Sequence, residues 1–282
     1  YKEIIWNLTE CSKIIAIDIP SGIFCDSGTA SGPCIKAAYT LSMGHPKLGH
    51  FFNLGLESCG ELHVLDIGFK PFLDDSEYVR LIEVEDVRKI APFYPENSHK
   101  YSRGKLLCIA GSAGYTGACI LAVEAAGKTG VGIIKAVIPE SLNTIFESNL
   151  IEAITIPVKK YTNDILERTK WADAVLLGPG LRSDSKSSEW ISQILRNISK
   201  PLILDATGFQ PLIDKKLEIN DLSAKTILTP HQAEFSRIFD LDLAKVNKDP
   251  VSEINKIIPA LDGRVLILKG ATNIIVTSEG KL

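Results

Sequence analysis

The amino-acid sequence predicts an α/β fold, a sandwich of helices and a mainly parallel sheet. Short apolar segments typical of buried strands alternate along the chain with helical segments. Residues 105–139 have the order strand, glycine-rich loop, helix, strand, which is one right-handed crossover unit of a parallel sheet. Several predicted strands also end directly at an acidic residue or at a Gly- or Pro-containing loop, and parallel sheets bind ligands at that edge.

Bulk composition limits the possible functions. The 282 residues suffice for two domains or for one large α/β domain. A formal net charge of -3, with no basic stripe, argues against nucleic acid as a main partner. No apolar segment approaches the length of a membrane span, so we expect no membrane contact. The six cysteines are scattered without a Cys-x-x-Cys pair, which favours a reduced, cytoplasmic protein over a disulfide or zinc framework.

The crossover unit in residues 105–139 is the most informative segment. A strand over 106–110 is followed by a loop containing Gly111, Gly114 and Gly117, a helix over 118–126 and a second strand over 133–138. Glycines at a helix N-terminus let backbone N–H groups approach a ligand closely, and the helix end favours an anion. Glycine also serves plain tight turns, so this pattern leaves a phosphate site and a simple turn equally open.

The first part of the chain predicts three strands. They cover residues 13–18, 39–43 and 61–67, after a helix within residues 1–10. Asp18 ends the first strand, and the turn Ile19-Pro20-Ser21-Gly22 follows, so we expect Asp18 and Ser21 to face a crevice. An Asx-type turn, in which Asp18 caps its own backbone, is the alternative. Residues 71–95 form a candidate linker with a short helix over 83–90.

The second part predicts further strands, each with a distinctive loop. Strands over 151–158, 171–177, 201–205, 226–228, 264–268 and 274–277 alternate with helices over 141–149 and 187–197. Gly178-Pro179-Gly180 ends one strand and shapes a crevice wall. Asp205 ends the next, and we leave open whether it caps a helix or contacts a ligand.

Two loops near the end of the chain also carry candidate functional side chains. Thr229 as N-cap and Pro230 as first helical residue predict a helix start that places His231 in its first turn. A lone histidine is usually structural, but among several strand-end loops it becomes a plausible substrate contact. Lys269 and Gly270 suit a nucleotide phosphate, with an exposed turn as the alternative. The chain starts at Tyr1 and residues 273–282 look like half a hairpin, so we expect both ends to be cut.

Four motifs in the first part resemble the NAD(P)H-hydrate epimerase family. They are Asp18-Ile19-Pro20-Ser21-Gly22, Asp26-Ser27-Gly28, Pro46-Lys47-Leu48-Gly49 and residues 60–68. The resemblance implies a Rossmann-like α/β domain of which residues 1–75 are the C-terminal part. It assigns Asp18 to the hydrated nicotinamide nucleotide and Ser21 to a potassium site. The family's other catalytic Asp lies upstream of these residues, so this chain alone is not expected to epimerise its substrate.

Six further motifs resemble the ADP/ATP-dependent NAD(P)H-hydrate dehydratase family. They lie at residues 99–105, 111–118, 178–181, 204–206, 228–234 and 268–271. The resemblance implies a three-layer ribokinase-like sandwich over residues 76–282. It assigns Ala118, Gly180 and His231 to the hydrated NADH or NADPH substrate. It assigns Lys269, Gly270, Ala271, Thr272 and Asn273 to the adenine nucleotide. Together the two signatures indicate the bifunctional repair family.

The reaction that this resemblance implies begins with phosphoryl transfer from ADP or ATP to the C6 hydroxyl of the hydrated cofactor. Loss of phosphate then restores the nicotinamide double bond, with Mg²⁺ and a base required for the transfer. The family's base is an Asp in a Gly-Ser-Gly-Asp run beyond Leu282, so no catalytic residue is assigned here. We expect a homo-oligomer. A small-molecule kinase of the same fold and a non-catalytic nucleotide-binding scaffold are the alternatives.

Overall fold

The structure, a computed structural model, describes residues 2–8, 13–69, 79–160 and 164–280. By backbone contacts the chain divides into two compact units. The first comprises residues 1–79, 242–253 and 270–273, and the second comprises residues 80–241, 254–269 and 274–282. The predicted division between residues 75 and 76 falls outside the described residues and stays a prediction.

The first unit contains a three-stranded parallel sheet in the order β1-β2-β3. Its elements are α1 (Lys2–Leu8), β1 (Ile15–Ile17), β2 (Tyr39–Met43), α2 (Asn53–Ser58) and β3 (Glu61–Leu65). Ala16 and Thr40 are paired across β1 and β2 and both are buried. The Thr40 hydroxyl donates to the Cys59 carbonyl at 2.6 Å, which satisfies a polar group inside the core. The three predicted strands are therefore confirmed, with the first and third shorter than expected.

The second unit is built on an eight-stranded sheet in the order β11-β10-β9-β8-β7-β4-β5-β6. All neighbouring pairs are parallel except β10 and β11. The strands are β4 (Lys105–Ile109), β5 (Ile133–Pro139), β6 (Ala153–Val158), β7 (Ala174–Leu177), β8 (Leu202–Leu204), β9 (Thr226–Leu228), β10 (Val265–Leu268) and β11 (Ile274–Thr277). The expected mainly parallel α/β architecture is confirmed.

Helices connect these strands. They are α3 (Val84–Ile90), α4 (Thr116–Lys128), α5 (Asn143–Glu147), α6 (Asp164–Trp171), α7 (Ser185–Asn197), α8 (Gln210–Ile213), α9 (Gln232–Phe239), α10 (Leu243–Lys248), α11 (Pro250–Asn255) and α12 (Ile258–Leu261). Helix α10 and the first residues of α11 group with the first unit. Within the described ranges, no helix combines the length and apolar character needed to cross a membrane.

The centre of the second unit is the strand β4. Leu107, Cys108 and Ile109 are fully buried, as expected for a parallel strand covered on both faces. Cys108 packs in one apolar cluster with Cys119 of α4 and Phe146 of α5. The hydrogen bond with Cys119, together with burial, raises the pKa of the Cys108 thiol well above its ordinary value. This thiol is therefore a packing group rather than a nucleophile.

The predicted start of the strand over 171–177 is wrong. Trp171 ends α6, and β7 begins only at Ala174. The Lys135 ammonium lies 4.0 Å from the centre of the Trp171 ring, so this aromatic side chain packs as a helix terminus against β5. Tryptophan is also common in strands, and a short apolar run follows Trp171. The sequence pattern therefore did not distinguish the end of α6 from the start of β7.

Candidate functional site

The loops that follow five neighbouring strands of the second unit lie at one edge of its sheet. Strands β10, β9, β8, β7 and β4 are adjacent and parallel, so their carboxyl ends point the same way. We call the loops that follow them the rim loops. They comprise residues 111–118, 178–184, 205–209, 229–234 and 269. Open parallel sheets bind their ligands at this edge.

The rim loops after β4 and β7 are bonded to each other. The Gly111 N–H donates to the Pro179 carbonyl at 2.9 Å, and the Ser112 hydroxyl donates to the Gly180 carbonyl at 2.8 Å. Gly180 has a φ of +64°, and a Cβ placed there would lie 2.8 Å from the Ala118 Cβ. The structure therefore brings Ala118 and Gly180, two predicted substrate contacts, directly together.

Asp205, which follows β8, is hydrogen-bonded to residues of the rim loops after β9 and β10. Its Oδ1 accepts hydrogen bonds from Lys269 Nζ at 2.5 Å and from the Thr229 hydroxyl at 3.0 Å. The Lys269 N–H also donates to the Pro230 carbonyl at 2.8 Å. A turn of 3₁₀ helix follows Asp205, but the Asp205 side chain makes no capping hydrogen bond there. The helix-cap alternative is therefore wrong, and the carboxylate instead orients the Lys269 ammonium.

His231 is the N-cap of α9, two residues later than the predicted cap. Its Nδ1 accepts from the N–H groups of Ala233 and Glu234 at 3.1 and 3.3 Å. Thr229 does not serve as the cap because its hydroxyl bonds to Asp205 and to the Leu204 carbonyl. Since Nδ1 accepts, the proton of the neutral ring is on Nε2. His231 is therefore positioned by its own helix, with about half of its side chain exposed.

The predicted nucleotide run is divided between the two units. Lys269 belongs to the second unit, where its side chain is 41% exposed and paired with Asp205. Gly270 to Asn273 group with the first unit. There the Gly270 N–H donates to Asn273 Oδ1 at 3.2 Å, and the Thr272 hydroxyl donates to the Phe51 carbonyl.

In the first unit, Asp18 lies at the carboxyl end of β1 with a φ of 69°. Its Oδ1 accepts from the Met43 N–H at 3.0 Å and from the Lys47 ammonium. Burial raises the pKa of Asp18, but these hydrogen bonds outweigh it and hold the pKa below the ordinary 3.8. The carboxylate thus bonds to the end of the neighbouring strand rather than capping its own turn.

Two residues of this arrangement, Lys47 and His50, were missed as site residues. The Lys47 ammonium also donates to the Ser42 hydroxyl at 3.2 Å and to the Met43 carbonyl at 3.1 Å. His50 is 2% exposed, and its Nε2 donates to the Asp18 carbonyl at 2.9 Å while Nδ1 accepts from the Lys47 N–H at 3.1 Å. The Pro-Lys-x-Gly motif was the available signal, because it follows the strand next to Asp18.

Burial lowers the pKa of His50 below its ordinary 6.5, and the hydrogen bond to the Asp18 carbonyl only partly opposes this. The unfolded chain therefore takes up a proton that the folded unit does not as pH falls through 6.5. The stability linked to neutral His50 is present above that pH and is lost below it. The lowered pKa of Asp18 acts only below 3.8, outside this window.

We expect slow amide exchange in β1 to β3 to report a lower opening free energy at about pH 5.5 than at about pH 7.5. The variant His50→Gln keeps an N–H donor toward Asp18 but has no titrating ring, so its pH dependence should be smaller. An equal pH dependence in the wild type and the variant would contradict the assignment of this effect to His50.

The described residues offer few side-chain ligands for the two metal ions that the family resemblance implies, K⁺ and Mg²⁺. They contain no group of three or more His, Cys, Asp or Glu side chains arranged for a metal. Ser21 is exposed, and the carboxylate of Asp18 nearby in sequence is already bonded to the Lys47 ammonium. The potassium contact of Ser21 therefore stays a prediction. Mg²⁺ is different, because it binds largely through substrate phosphates with one or two protein carboxylates.

Comparison with known protein families gives two matches, which cover different parts of the chain. A family model described as NAD(P)H-hydrate dehydratase matches residues 106–282. A second model, described as YjeF-related protein N-terminus, matches residues 1–49.

Curated relatives match over most of this chain. One is the bifunctional NAD(P)H-hydrate repair enzyme Nnr of Moorella thermoacetica, 30% identical over 281 residues, with 96% of this chain and 53% of the relative covered. Another is the enzyme of the same name from Thermofilum pendens, 33% identical over 282 residues, with 96% and 53% covered. The chain spans about half the length of these curated relatives.

Solved structures with the same architecture match the larger part of the chain. The Bacillus subtilis ADP/ATP-dependent NAD(P)H-hydrate dehydratase, co-crystallised with ATP and Mg²⁺, has a TM-score of 0.58 and 27% identity, covering 70% of this chain and 69% of that one. A hypothetical protein of Streptococcus mutans has a TM-score of 0.63 and 26% identity, covering 71% of each. A ribokinase-like protein of Enterococcus faecalis has a TM-score of 0.64 at 20% identity, which speaks only to the fold, and covers 76% of this chain and 72% of that one.

Proposed function

Because the chain belongs to the NAD(P)H-hydrate dehydratase family, we propose that it binds hydrated NADH or NADPH together with an adenine nucleotide and takes part in dehydrating the cofactor. The observation that carries this proposal is that the rim loops lie together at one edge of the sheet. The four parallel strands β4, β7, β9 and β10 are followed at one sheet edge by Ala118, Gly180, His231 and Lys269, respectively. A dinucleotide and a phosphate donor are the ligands for which that edge of a parallel sheet is suited.

Each rim group has a proposed task. Ala118 and Gly180 present a small-residue surface against which the hydrated nicotinamide nucleotide lies. His231 Nε2–H, which lies 3.4 Å from a carboxylate oxygen of Glu234, is proposed to donate a hydrogen bond to the polar groups of this nucleotide. The Lys269 ammonium contacts the nucleotide phosphates. For Gly270 to Asn273, which group with the first unit, contact with the adenine nucleotide remains a proposal from the sequence. Helix α4 begins directly after the glycine loop, so its N-terminal N–H groups favour a phosphate there.

The proposed chemistry is phosphoryl transfer from ADP or ATP to the C6 hydroxyl, followed by loss of phosphate. Bound Mg²⁺ would neutralise charge on the transferring phosphoryl group. The solved relative that was co-crystallised with ATP and Mg²⁺ supports this pairing. No residue between Tyr1 and Leu282 is assigned as the base, and the family's Gly-Ser-Gly-Asp run is the proposed source of it.

For the first unit we propose the substrate-binding role of an NAD(P)H-hydrate epimerase. Asp18, whose pKa is held low, remains an ionised acceptor for the hydrated nucleotide. Ser21 is the proposed potassium ligand. The proposed domains are residues 1–75 and 76–282. We also propose a cytoplasmic homo-oligomer, which light scattering of the purified protein tests.

Calorimetric titration with ADP or ATP and with hydrated NADH tests binding by this chain. Turnover is followed as recovery of absorbance at 340 nm with the full-length protein. Recovery without a stable phosphorylated product supports the dehydratase. Accumulation of a phosphorylated product instead identifies a small-molecule kinase, and nucleotide binding with no turnover identifies a scaffold.

Variants of His231 separate its capping role from ligand contact. His231→Asn keeps a side-chain acceptor for the first N–H groups of α9 and should retain stability, whereas His231→Ala should cost about 1 kcal/mol. Both should lower affinity for hydrated NADH about tenfold, because both remove the Nε2–H donor. Thermal unfolding and calorimetry measure the two effects. Wild-type substrate affinity in His231→Asn would contradict the contact.

A further inference from the structure

The charged side chains of the rim loops largely neutralise one another. Besides His231, these loops contain two cationic residues and three carboxylates: Arg182, Asp184, Asp205, Glu234 and Lys269. Lys269 is paired with Asp205 at 2.5 Å, and Arg182 is paired with Asp184 at 3.1 Å. Glu234 accepts from the His231 N–H at 2.9 Å. The rim side chains therefore carry no net positive charge, whether or not His231 is protonated.

This balance of charges is unfavourable for the binding of a nucleotide that carries no metal ion. Nucleoside di- and triphosphates carry several negative charges at neutral pH, and unit charges of like sign repel strongly at contact distance near a protein surface. The Lys269 ammonium meets such an anion with its charge already compensated by Asp205. Lys269 therefore attracts the phosphates less than an unpaired ammonium would, and the partial charges of backbone N–H groups at the glycine loop and at the start of α4 add to its attraction.

Asp205 is the carboxylate that determines this compensation. The Thr229 hydroxyl holds the same oxygen that receives Lys269, so the carboxylate is fixed beside the ammonium rather than free to turn away. Glu234 differs because its side chain is 12% exposed and is bonded to the start of α9. Changing Asp205 thus alters the charge that a phosphate meets at Lys269 with little effect on a helix cap.

We propose that Asp205 is a specificity-determining residue of the nucleotide site: by neutralising Lys269 it makes the rim select an adenine nucleotide already complexed with a divalent cation over the free nucleotide. The inference rests on the proposed nucleotide site. A nucleotide that brings its own cation has a smaller net charge, so Asp205 repels it less than it repels the free anion.

The test compares the affinities for ATP in EDTA and in excess Mg²⁺ by calorimetry. Asp205→Asn keeps the shape of the side chain and an acceptor for Thr229 but removes its charge. We expect it to strengthen binding of metal-free ATP about tenfold and binding of the magnesium complex about threefold. The ratio of the affinity for the complex to the affinity for metal-free ATP, which is the preference for the complex, should therefore fall about threefold. Lys269→Met should have the opposite effect and widen that preference, because Asp205 is then uncompensated.

Asp184→Asn is the matched control, since it makes the same change of charge in a rim pair that does not include Lys269. Its preference for the magnesium complex should stay within about twofold of wild type. An equal narrowing in Asp184→Asn, or no narrowing in Asp205→Asn, overturns the proposal while the nucleotide site stands. Wild-type protein that binds neither form of ATP overturns the proposed function itself, and this inference with it.

Discussion

Replacing Gly178 with alanine is expected to lower the free energy of unfolding of the second unit by about 3 kcal/mol or more. Gly178 has a φ of +126°, a conformation that residues with a Cβ rarely adopt. A Cβ placed there would lie 1.8 Å from the Asp205 carbonyl oxygen and 2.7 Å from the Gly208 amide nitrogen. Both are backbone atoms, so the loop after β8 must move to make room.

Gly114→Ala is the control for backbone strain alone. Gly114 has a φ of +85°, but a Cβ there would meet nothing within 4 Å. We expect it to cost about 1 kcal/mol. Urea unfolding of both variants measures the difference. Equal destabilisation of the two would show that the contact between the loops after β7 and β8 is not as close as the structure has it.

Replacing Lys269 with methionine is expected to weaken nucleotide binding about thirtyfold. A charge-assisted hydrogen bond to phosphate is worth about 2 kcal/mol, and methionine retains the length of the side chain but not the ammonium. The stability cost should be at most about 1 kcal/mol, because the partner Asp205 is partly exposed and keeps its bond from Thr229. Calorimetry gives the affinity and thermal unfolding the stability.

Lys225→Met controls for the loss of one positive charge. Lys225 is exposed and directly precedes β9, so it lies at the opposite edge of the sheet from the rim loops. Its nucleotide affinity should remain near that of the wild type. If both lysine variants weaken nucleotide binding equally, the loss of affinity is due to the change in the net charge of the protein. Lys269 is then not a phosphate contact.

The architecture and the family could be predicted from the sequence, because both depend on local patterns. Apolar strand segments, the glycine loop after β4 and the ordered motifs each lie within a short stretch. The YjeF-related model matches residues 1–49 and the dehydratase model matches residues 106–282, so the predicted dehydratase part is confirmed and the predicted epimerase part stays a prediction. Adjacency of the rim loops followed from the parallel sheet, since parallel neighbours must end at one edge.

The side-chain partnerships could not be predicted, because they join residues far apart in the chain. The oxygen of Asp205 is bonded to Lys269, 64 residues later, and Asp18 is bonded to Lys47, 29 residues later. The structural alternatives weighed for these residues, a helix cap for Asp205 and an Asx-type turn for Asp18, considered only neighbours in sequence. The cap of α9 was misplaced for the same reason, since the Thr229 hydroxyl donates to Asp205, which follows the neighbouring strand β8.

Hydrogen exchange with and without ligands tests most directly whether the rim loops form one binding site. With magnesium, ATP and hydrated NADH together, we expect slower exchange in peptides covering residues 111–118, 178–184, 205–209 and 229–234. Peptides covering residues 172–173, 199–201 and 223–225, which precede β7, β8 and β9 at the opposite edge, should be unchanged. Protection at the opposite edge, with none in the rim loops, would contradict the account.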